Sequence, residues 1–237
     1  MSYKKILTII IPCYNEIATI EKIINKIREQ KISKQIILVD DYSIDGTKEL
    51  IKKKLYKKID KVIFHKKNFG KGACIKSAIK YSVGKIILIQ DADLEYSPKD
   101  YVKLIKPILK KKTNVVYGSR VLKKQRYTNN NFSSVFRVFA NHILTICSNL
   151  INDQKLTDAH TCYKVLKKEI FDKIKLEEKG FSFCPELTTK ISLLNENILE
   201  VPIRYKGRSY KEGKKISIID GLRAVYCLIK YNVLVPR

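Results

Sequence analysis

The sequence predicts an α/β fold in which helices cover both faces of a mainly parallel sheet. Short apolar segments alternate with longer helical patterns, as where Leu7–Pro12 precedes Glu16–Gln30. The strand segments are apolar throughout, which is typical of a parallel sheet buried on both sides. Polar and acidic clusters follow the strands directly. In such a fold, functional groups collect at the carboxyl ends of the strands.

The elements follow one another in regular order within one predicted domain, residues 1–237. Apolar runs predict strands at Leu7–Pro12, Ile36–Asp40, Lys61–His65, Lys85–Gln90, Val115–Gly118 and Cys162–Leu166, and an edge strand at Ile198–Arg204. Helical periodicity predicts helices at Glu16–Gln30, Gly46–Leu55, Gly72–Tyr81, Val135–Ile151, Pro185–Leu194 and Ser217–Tyr231, and a further helix starting at Pro98.

Two segments of the second half predict features outside the sheet. Lys123–Ser134 is polar and basic, which predicts a mobile loop: either a tolerated insertion or a lid beside the active site. Ser217–Tyr231 predicts an amphipathic helix whose apolar face we expect to pack on the sheet rather than enter a membrane. That face consists of Ile218, Ile219, Leu222, Val225, Tyr226 and Ile229.

The composition supports a folded core and an anionic partner. The 237 residues include 48 Lys and Arg against 23 Asp and Glu, a net charge of +25, and 45% are apolar. That apolar share excludes a disordered polyelectrolyte. Lysines are spread along the chain and no basic–aromatic RNA motif occurs. We therefore expect no nucleic-acid partner and assign the charge to an anionic substrate or membrane surface.

Neither a signal peptide nor a membrane span is predicted. The longest uncharged stretch, Val138–Asn152, has only 15 residues and contains polar side chains. The six cysteines are scattered and lie mostly in apolar runs, as expected of buried free thiols in a reducing compartment. The three histidines are too dispersed to suggest zinc.

The strongest motif is Asp91-Ala92-Asp93, which follows the fourth strand. Residues i and i+2 of an extended segment point to the same side, so we expect both carboxylates to converge beyond the sheet edge. Such oxygen ligands suit Mg²⁺ or Mn²⁺, and Glu95 is a further candidate ligand. The alternative is a capping pair at a loop-to-helix junction.

Polar segments after the first two strands predict contacts to a nucleoside. Asp40 and Asp41 can accept hydrogen bonds from a ribose or a base edge, whereas Asp45 can equally be only a helix cap. Tyr14 can stack on a base, and Glu16 can bond to ribose hydroxyls.

The segment Asn68-Phe69-Gly70-Lys71-Gly72 is similar to a phosphate loop, and its glycines allow close backbone approach at a helix start. It does not match G-x-x-x-x-G-K-[ST], and no G-x-G-x-x-G occurs. P-loop NTPases and ordinary NAD enzymes are therefore disfavoured.

Together and in this order, the motifs resemble those of the family 2 glycosyltransferases with the Rossmann-like GT-A fold, from about Leu7 to Tyr231. The matching segments are IPCYNE, VDDYSIDGT, NFGKGA, QDADLEYSP, YGSR, TDAHTCYKV, GFSFCPEL and EVPIRYKGRSYKEGKKI. The nearest branch resembles the dolichyl-phosphate mannose synthases and other polyprenyl-phosphate glycosyltransferases. The resemblance implies an inverting transferase that uses a nucleoside-diphosphate sugar and a divalent cation, Mg²⁺ or Mn²⁺. It also implies a nucleotide-sugar half at about residues 1–120 and an acceptor half at about residues 121–237.

The resemblance further implies roles for individual residues. The nucleotide-binding set is Pro12, Tyr14, Glu16, Val39, Asp41, Asp91, Ala92, Asp93 and Arg137. The metal ligands are Asp91, Asp93 and Glu95, although glutamine is common at the third position in the group. The catalytic set is Asp93, Arg120, Asp158, Arg208 and Lys214. Arg208 and Lys214 match a basic clamp near the diphosphate, for which the alternative is a solvated basic strand end. Glu186 matches a recurring carboxylate without an assigned role.

Asp158 bears on the identity of the acceptor. A hydroxyl acceptor needs a general base, which a carboxylate in this neighbourhood can supply, whereas a phosphate acceptor is already ionised. Asp158 is therefore either a base or a residue that orients the acceptor loop, and we favour the second role.

The sequence thus predicts sugar transfer from a UDP- or GDP-linked donor to a polyprenyl phosphate, with a glycan hydroxyl as the alternative acceptor. A nucleotidyltransferase is disfavoured because IPCYNE stands where a glycine- and arginine-rich loop is needed. A non-catalytic binding module is disfavoured because Asp91, Asp93, Arg208 and Lys214 are intact. The expected location is the cytoplasm, at the inner face of the cytoplasmic membrane if the acceptor is a lipid.

Overall fold

A seven-stranded sheet organises the chain. The computed structural model describes residues 5–122, 132–208 and 218–234, and only the backbone of 132–140, 218–220 and 233–234. The strands are β1 (Leu7–Cys13), β2 (Lys34–Asp40), β3 (Lys61–Phe64), β4 (Ile86–Ile89), β5 (Val115–Ser119), β6 (Lys164–Lys167) and β7 (Ile198–Pro202). Their order in the sheet is β3-β2-β1-β4-β6-β5-β7.

The helices occupy the connections between strands and the end of the described chain. They are α1 (Ile20–Arg28), α2 (Thr47–Leu50), α3 (Lys71–Ile79), α4 (Tyr101–Leu109), α5 (Phe132–Asn152), α6 (Lys168–Asp172), α7 (Phe183–Leu193) and α8 (Ile218–Ile229). Short turns of 3-10 or π geometry extend several of them, at Ile51–Leu55, Tyr56–Lys58, Pro98–Asp100 and Lys230–Leu234.

The predicted α/β architecture with a mainly parallel sheet is confirmed. Strands β1 to β4 run parallel, and β7 runs parallel to β5 at the edge of the sheet. The exception is β6, which runs antiparallel to both of its neighbours, β4 and β5. Side chains on both faces of β1 and β2 are buried, so this part of the sheet is covered on both sides.

The expectation for the last helix is wrong. Leu222, Tyr226 and Ile229, half of the predicted packing face, are exposed. Helix α8 instead packs on α5 and α7, and its buried residues include Ala224 and Cys227. The buried face of α8 thus combines Ala224 and Cys227 with the fully buried Leu228, and it differs from the predicted face.

Helix α5 likewise exposes apolar side chains and buries small polar ones. It exposes Ile143, Ile146 and Leu150 but buries Thr145 and Ser148. Two neighbouring helices therefore each present a row of apolar side chains to the outside. In the described part of the chain, no helix combines the length and apolarity that crossing a membrane requires.

Helix α5 begins at Phe132, so the last three residues of the loop predicted at Lys123–Ser134 belong to a helix. Residues 123–131 lie outside the described residues. All six cysteines are free, and five of them are buried; Cys147 is partly exposed. The short helix α6 directly follows β6 and was not predicted.

Candidate active site

The carboxyl ends of β1 and β2 bring the predicted nucleoside-binding residues side by side. Pro12 and Val39 are register partners in the two parallel strands. Val39 is buried, whereas Pro12 and Tyr14 are half-buried. Beyond the strands, Glu16 donates its backbone N–H to Thr47 Oγ1 at 2.9 Å, which fixes the first loop against the second. The polar segments predicted to share one edge of the sheet therefore do so.

The carboxylate of Asp41 is bonded to neighbouring residues of the 65–70 loop. It accepts the backbone N–H groups of Phe69 at 3.0 Å and Gly70 at 2.7 Å, and it contacts His65 Nδ1 at 2.6 Å. Cys74 lies close enough to complete a group of ligand-type atoms within 4.8 Å of one another. Since Asp41 already holds the 65–70 loop, the geometry explains this cluster as a structural one.

Asp40 and Asp45 also have structural surroundings. Asp40 is fully buried and accepts the backbone N–H of Ser43 at 3.3 Å, and burial raises its pKa. Asp45 accepts the backbone N–H of Thr47 at 3.0 Å at the start of α2, which is the capping role considered for it.

The glycine-containing loop packs against backbone atoms of the chain itself and does not form an open phosphate-binding loop. Gly70 has a φ of +92°, and a Cβ added at Gly72 would lie 2.3 Å from the carbonyl oxygen of Glu178. The N–H of Gly72 bonds to the carbonyl of Gly180 at 3.3 Å. The similarity to a phosphate loop therefore does not extend to its contacts, because the close approach is made by the chain's own 178–180 segment.

Glu186 explains how that segment is held. It is fully buried and accepts the backbone N–H groups of Glu177 at 2.6 Å and Glu178 at 2.9 Å, together with Lys190 Nζ at 2.7 Å. The carboxylate that had no role in the sequence analysis thus anchors the segment that packs on the start of α3.

Asp91 forms an ion pair with Lys71, the first residue of α3. Lys71 Nζ also lies 3.5 Å from Cys162 Sγ. Burial is the largest single influence and lowers the pKa of Lys71, but the charge and hydrogen bond of Asp91, together with Cys162 and Cys184, raise the pKa well above the ordinary value. Lys71 was missed in the sequence analysis, although it stands in the quoted motif NFGKGA.

Asp93 and Glu16 share a second cation. Arg208 Nη1 and Nη2 lie 3.0 and 3.1 Å from the two carboxylate oxygens of Glu16, and Nη2 also lies 3.0 Å from Asp93 Oδ2. Burial, reinforced by Asp91 and Glu95, raises the pKa of Asp93 to about 7 despite the guanidinium. Arg208 therefore lies among the carboxylates of the site and is not a solvated strand end.

The Asp91–Asp93 segment is not extended as expected. Strand β4 ends at Ile89, the chain turns at residues 92 and 93, and Leu94 has a φ of +64°. The two carboxylates still interact, because Asp91 is among the causes of the raised pKa of Asp93. Ala92 between them is buried. Their proximity follows from this turn rather than from strand alternation.

Glu95 contacts the segment that carries Arg208. Its carboxylate accepts the backbone N–H of Arg208 at 2.7 Å and the hydroxyl of Tyr205 at 2.9 Å. Both oxygens of the third predicted metal ligand thus bond to the chain itself.

Arg120 and Asp158 form a buried, bidentate ion pair on the other side of the site. Arg120 Nε and Nη2 donate to the two oxygens of Asp158, each at 2.7 Å, and the Arg120 backbone N–H donates at 3.0 Å. Asp158 is fully buried, and its own backbone N–H bonds to Glu200 at 2.9 Å. The guanidinium lies 5.1 Å from the ring centre of Tyr205, next to the Arg208 segment.

Two predicted residues cannot be placed by side-chain contacts. Lys214 lies outside the described residues. Arg137 lies in the first part of α5, residues 132–140, of which only the backbone is described. Their roles in nucleotide or diphosphate binding stay predictions.

The arrangement fits a divalent cation. In the described part of the chain, the carboxylates of Glu16, Asp91, Asp93 and Glu95 face the cations of Lys71 and Arg208. Burial, followed by the charges of Asp91 and Glu95, raises the pKa of Asp93, and a bound cation would stabilise the ionised form of that carboxylate. Oxygen ligands of this type are those that Mg²⁺ and Mn²⁺ prefer.

The sequence is similar to that of a known protein family. The family model described as Glycosyl transferase family 2 matches residues 8–175. A dolichol-phosphate mannosyltransferase of Pyrococcus furiosus is 30% identical over 237 residues, covering 97% of this chain. The match covers 65% of that protein, so the chain spans just under two thirds of its length.

Two other relatives are matched over most of their length. A UDP-N-acetylglucosamine–dolichyl-phosphate N-acetylglucosaminyltransferase of Methanococcus voltae is 26% identical, with 95% of each chain covered. An undecaprenyl-phosphate mannosyltransferase of Micrococcus luteus is 24% identical, with 92% of this chain and 90% of that protein covered.

Solved structures agree on the fold. Glucosyl-3-phosphoglycerate synthase from Mycobacterium tuberculosis superimposes with a TM-score of 0.73 at 15% identity, covering 98% of this chain and 82% of that chain. Its complex with Mn²⁺, UDP and glucosyl-3-phosphoglycerate gives a TM-score of 0.68 at 15% identity, covering 98% of this chain and 81% of that chain. The family match and the shared architecture show that this chain belongs to glycosyl transferase family 2 and has the GT-A fold of these enzymes.

Proposed function

We propose that this glycosyltransferase moves a sugar from a UDP- or GDP-linked donor to a polyprenyl phosphate, in a metal-dependent reaction that inverts the anomeric configuration. The three relatives described above are named for transfer to dolichyl or undecaprenyl phosphates, which supports this class of acceptor. The alignment of Pro12 with Val39, beside Glu16, supports a nucleoside site at the ends of β1 and β2.

The observation that carries the choice of acceptor is the ion pair between Arg120 and Asp158. A general base must reach the proton that it removes. Asp158 is instead fully buried, and both of its oxygens accept hydrogen bonds from Arg120. This geometry favours the orienting role for Asp158 and an acceptor that needs no deprotonation, which a phosphate satisfies.

The remaining charges act on the donor. Asp91 and Asp93 would hold the Mg²⁺ or Mn²⁺ ion, which supplies Lewis-acid stabilisation of the leaving nucleoside diphosphate. Arg208 is placed to add positive charge where the leaving group becomes more negative, and Arg120 is a second candidate. Attack by the phosphate oxygen on the face opposite the diphosphate inverts the anomeric carbon.

A peripheral position on the membrane follows from a lipid acceptor. The apolar rows of α5 and α8 and the net charge of +25 support contact with an anionic bilayer. We place the protein at the cytoplasmic face, where it would meet a nucleotide sugar on one side and the lipid phosphate on the other.

The test uses two acceptors that differ only in the ionised group. Purified protein is incubated with Mn²⁺, a panel of UDP- and GDP-sugars, and either undecaprenyl phosphate or undecaprenol; the dolichyl pair and a soluble glycan acceptor are tested in parallel. We expect glycolipid formation and nucleotide release with the phosphates only, and none in excess EDTA. Transfer to a soluble glycan, but to neither lipid phosphate, would refute the proposed acceptor. Failure of every donor with every acceptor would refute the activity itself.

A further inference from the structure

Glu200, a half-buried residue of β7, is bonded through three contacts to the backbone that connects α5 with β6. Its Oε2 accepts the Thr157 backbone N–H at 2.7 Å and the Thr157 hydroxyl at 2.8 Å. Its Oε1 accepts the Asp158 backbone N–H at 2.9 Å. Both carboxylate oxygens are therefore used on two consecutive residues, and hydrogen bonds to an ionised group are among the strong ones.

The same stretch is bonded to the end of β5, the strand that Arg120 follows directly. Ser119 Oγ and Thr157 Oγ1 lie 2.7 Å apart, so the Thr157 hydroxyl contacts both Ser119 and Glu200. Glu200 is the register partner of Tyr117 in the parallel pairing of β7 with β5. The Glu200 carboxylate, the 157–158 backbone and the end of β5 thus form one hydrogen-bonded unit.

Asp158 connects this unit to the guanidinium of Arg120. Glu200 bonds to the backbone of Asp158, whereas Arg120 bonds to its side chain through Nε, Nη2 and the backbone N–H. The Arg120 side chain is 11% exposed and that of Asp158 is fully buried, so Arg120 is the member of the ion pair that can meet a substrate. A carboxylate whose own backbone is fixed can hold the guanidinium in one place.

We propose that Glu200 is a positioning residue that acts through Asp158 on Arg120 and thereby keeps the guanidinium in place for sugar transfer. The proposal rests on the proposed function for the reaction that Arg120 serves. The connection from Glu200 through Asp158 to Arg120 is a property of the protein alone, and it can be measured without substrates.

Glutamine at position 200 breaks the connection with little change in the size of the side chain. An amide has a single acceptor oxygen, and its NH₂ group is a donor. In Glu200→Gln, one of the backbone N–H groups of Thr157 and Asp158 therefore faces a donor. Glu169→Gln removes an exposed carboxylate on α6 in the same way and is the matched control.

Thr157→Val is the second variant if Glu200→Gln does not fold. It removes the hydroxyl that contacts Ser119 and Glu200 but keeps the backbone N–H that bonds to Glu200. Thr157→Ser retains a hydroxyl and is the conservative variant that should restore the wild-type behaviour.

The first measurement is residue-resolved hydrogen exchange in the protein without ligands. The Arg120 amide is the informative one, because it bonds to Asp158 Oδ2 and reports an effect of Glu200 only if Asp158 transmits it. We expect its exchange to be at least tenfold faster in Glu200→Gln and several-fold faster in Thr157→Val. It should stay within twofold of wild type in Thr157→Ser and Glu169→Gln.

The amides of Val115 and Val116, in the same strand, separate a local connection from a general loosening of β5. Their exchange should stay within twofold of wild type in every variant. Unchanged exchange at Arg120 in Glu200→Gln, or in Thr157→Val if Glu200→Gln does not fold, would overturn the proposal. Equal acceleration at all three amides would overturn it as well.

The second measurement is kcat for transfer to undecaprenyl phosphate, with Glu200→Gln, or Thr157→Val in its place, introduced into wild type and into Arg120→Ala. We expect Glu200→Gln to lower kcat about tenfold in wild type, with donor KM within threefold. In Arg120→Ala it should change kcat less than twofold, because the residue that it acts through is absent. Equal factors in the two backgrounds would overturn the proposal. If wild type transfers sugar to no acceptor, the proposed function fails, whereas exchange at the Arg120 amide still decides on the connection.

Discussion

Asp91 and Asp93 lie two residues apart, yet their positive partners, Lys71 and Arg208, come from distant parts of the chain. Asp91 pairs with Lys71 on α3, whose first turn is packed against the 178–180 segment. Asp93 pairs with Arg208, which follows the last strand and reaches the site on the segment held by Glu95.

The difference indicates that the two ion pairs have different roles. Lys71 is the first residue of α3, whose start packs against the 178–180 segment, so its pairing with Asp91 belongs to the fold. Arg208 lies in a segment outside the sheet and is shared between two carboxylates, so its pairing belongs to the donor site. Substitutions at the two pairs should therefore affect stability and activity in different proportions.

The largest effect on activity is expected at Asp93. In Asp93→Ala, sugar transfer should fall by at least roughly 10²–10³-fold, the size of effect seen when a preorganised charge-stabilising group is lost. Initial rates at saturating Mn²⁺ and donor measure this effect. The exposed Asp172 on α6 provides the matched control, Asp172→Ala, which should keep the wild-type rate. A small loss in Asp93→Ala would mean that Asp91 alone can hold the cation.

The two cations should separate stability from activity. Lys71→Met leaves Asp91 without its partner in a mostly buried position, and we expect a loss on the order of 3 kcal/mol in the free energy of unfolding. Adding Asp91→Asn to Lys71→Met should restore part of that stability, because the unpaired charge is then removed. Urea unfolding of the three proteins measures both steps.

Arg208→Ala should affect activity more than stability. Activity should fall strongly, but the free energy of unfolding should change less than in Lys71→Met. Asp93 already has a pKa of about 7, so without the guanidinium it can take up a proton near neutral pH. The stability loss should accordingly be smaller at pH 6 than at pH 8. Equal losses of stability in Lys71→Met and Arg208→Ala would contradict the distinction between the two pairs.

The last prediction concerns His160, near the Arg120–Asp158 pair, where the effect on stability is confined to acidic pH. Burial lowers its pKa to about 4, and its Nε2 has no hydrogen-bond partner. Because the unfolded chain binds the proton more readily, stability should fall as the pH drops from about 6.5 to about 4, by at most ~1.4 kcal/mol per pH unit. His160→Gln cannot titrate and should flatten this dependence in urea unfolding at pH 7.0, 5.5 and 4.5. If the free energy of unfolding of His160→Gln depends on pH as strongly as that of wild type, His160 is not the source of the dependence.

The donor-side architecture was largely predictable because its signals are local. Apolar runs such as Leu7–Pro12 and Ile36–Asp40 mark buried strands, and the polar residues directly after them mark the functional edge. The structure confirms these strands and brings Pro12 and Val39 together. Parallel direction is also implied by helical connections of this length, which is why β1 to β4 were anticipated correctly.

The rest depends on contacts between distant residues. No periodicity signals that Lys71 meets Asp91, that Glu95 holds Tyr205, or that β6 runs against its neighbours. The predicted face of α8 was assigned to the core because its side chains are strongly hydrophobic. Hydrophobicity does not say which element a helix packs against, and in the structure α8 buries Ala224 and Cys227 where it packs on α5 and α7. Such features are set by the assembled fold.

The central claim is that the acceptor arrives ionised and that Asp158 orients Arg120 instead of removing a proton. Asparagine at position 158 can keep the two bonds that reach one oxygen, from the Arg120 backbone N–H and Nε. The most direct test is the pH dependence of kcat for wild type and Asp158→Asn with undecaprenyl phosphate, between pH 5.5 and 8.5. The account predicts profiles of the same shape, with a lower plateau in the variant because Arg120 is less firmly held. A loss of about 10²–10⁴-fold, together with disappearance of the rise toward higher pH seen in wild type, would identify Asp158 as the general base and contradict the account.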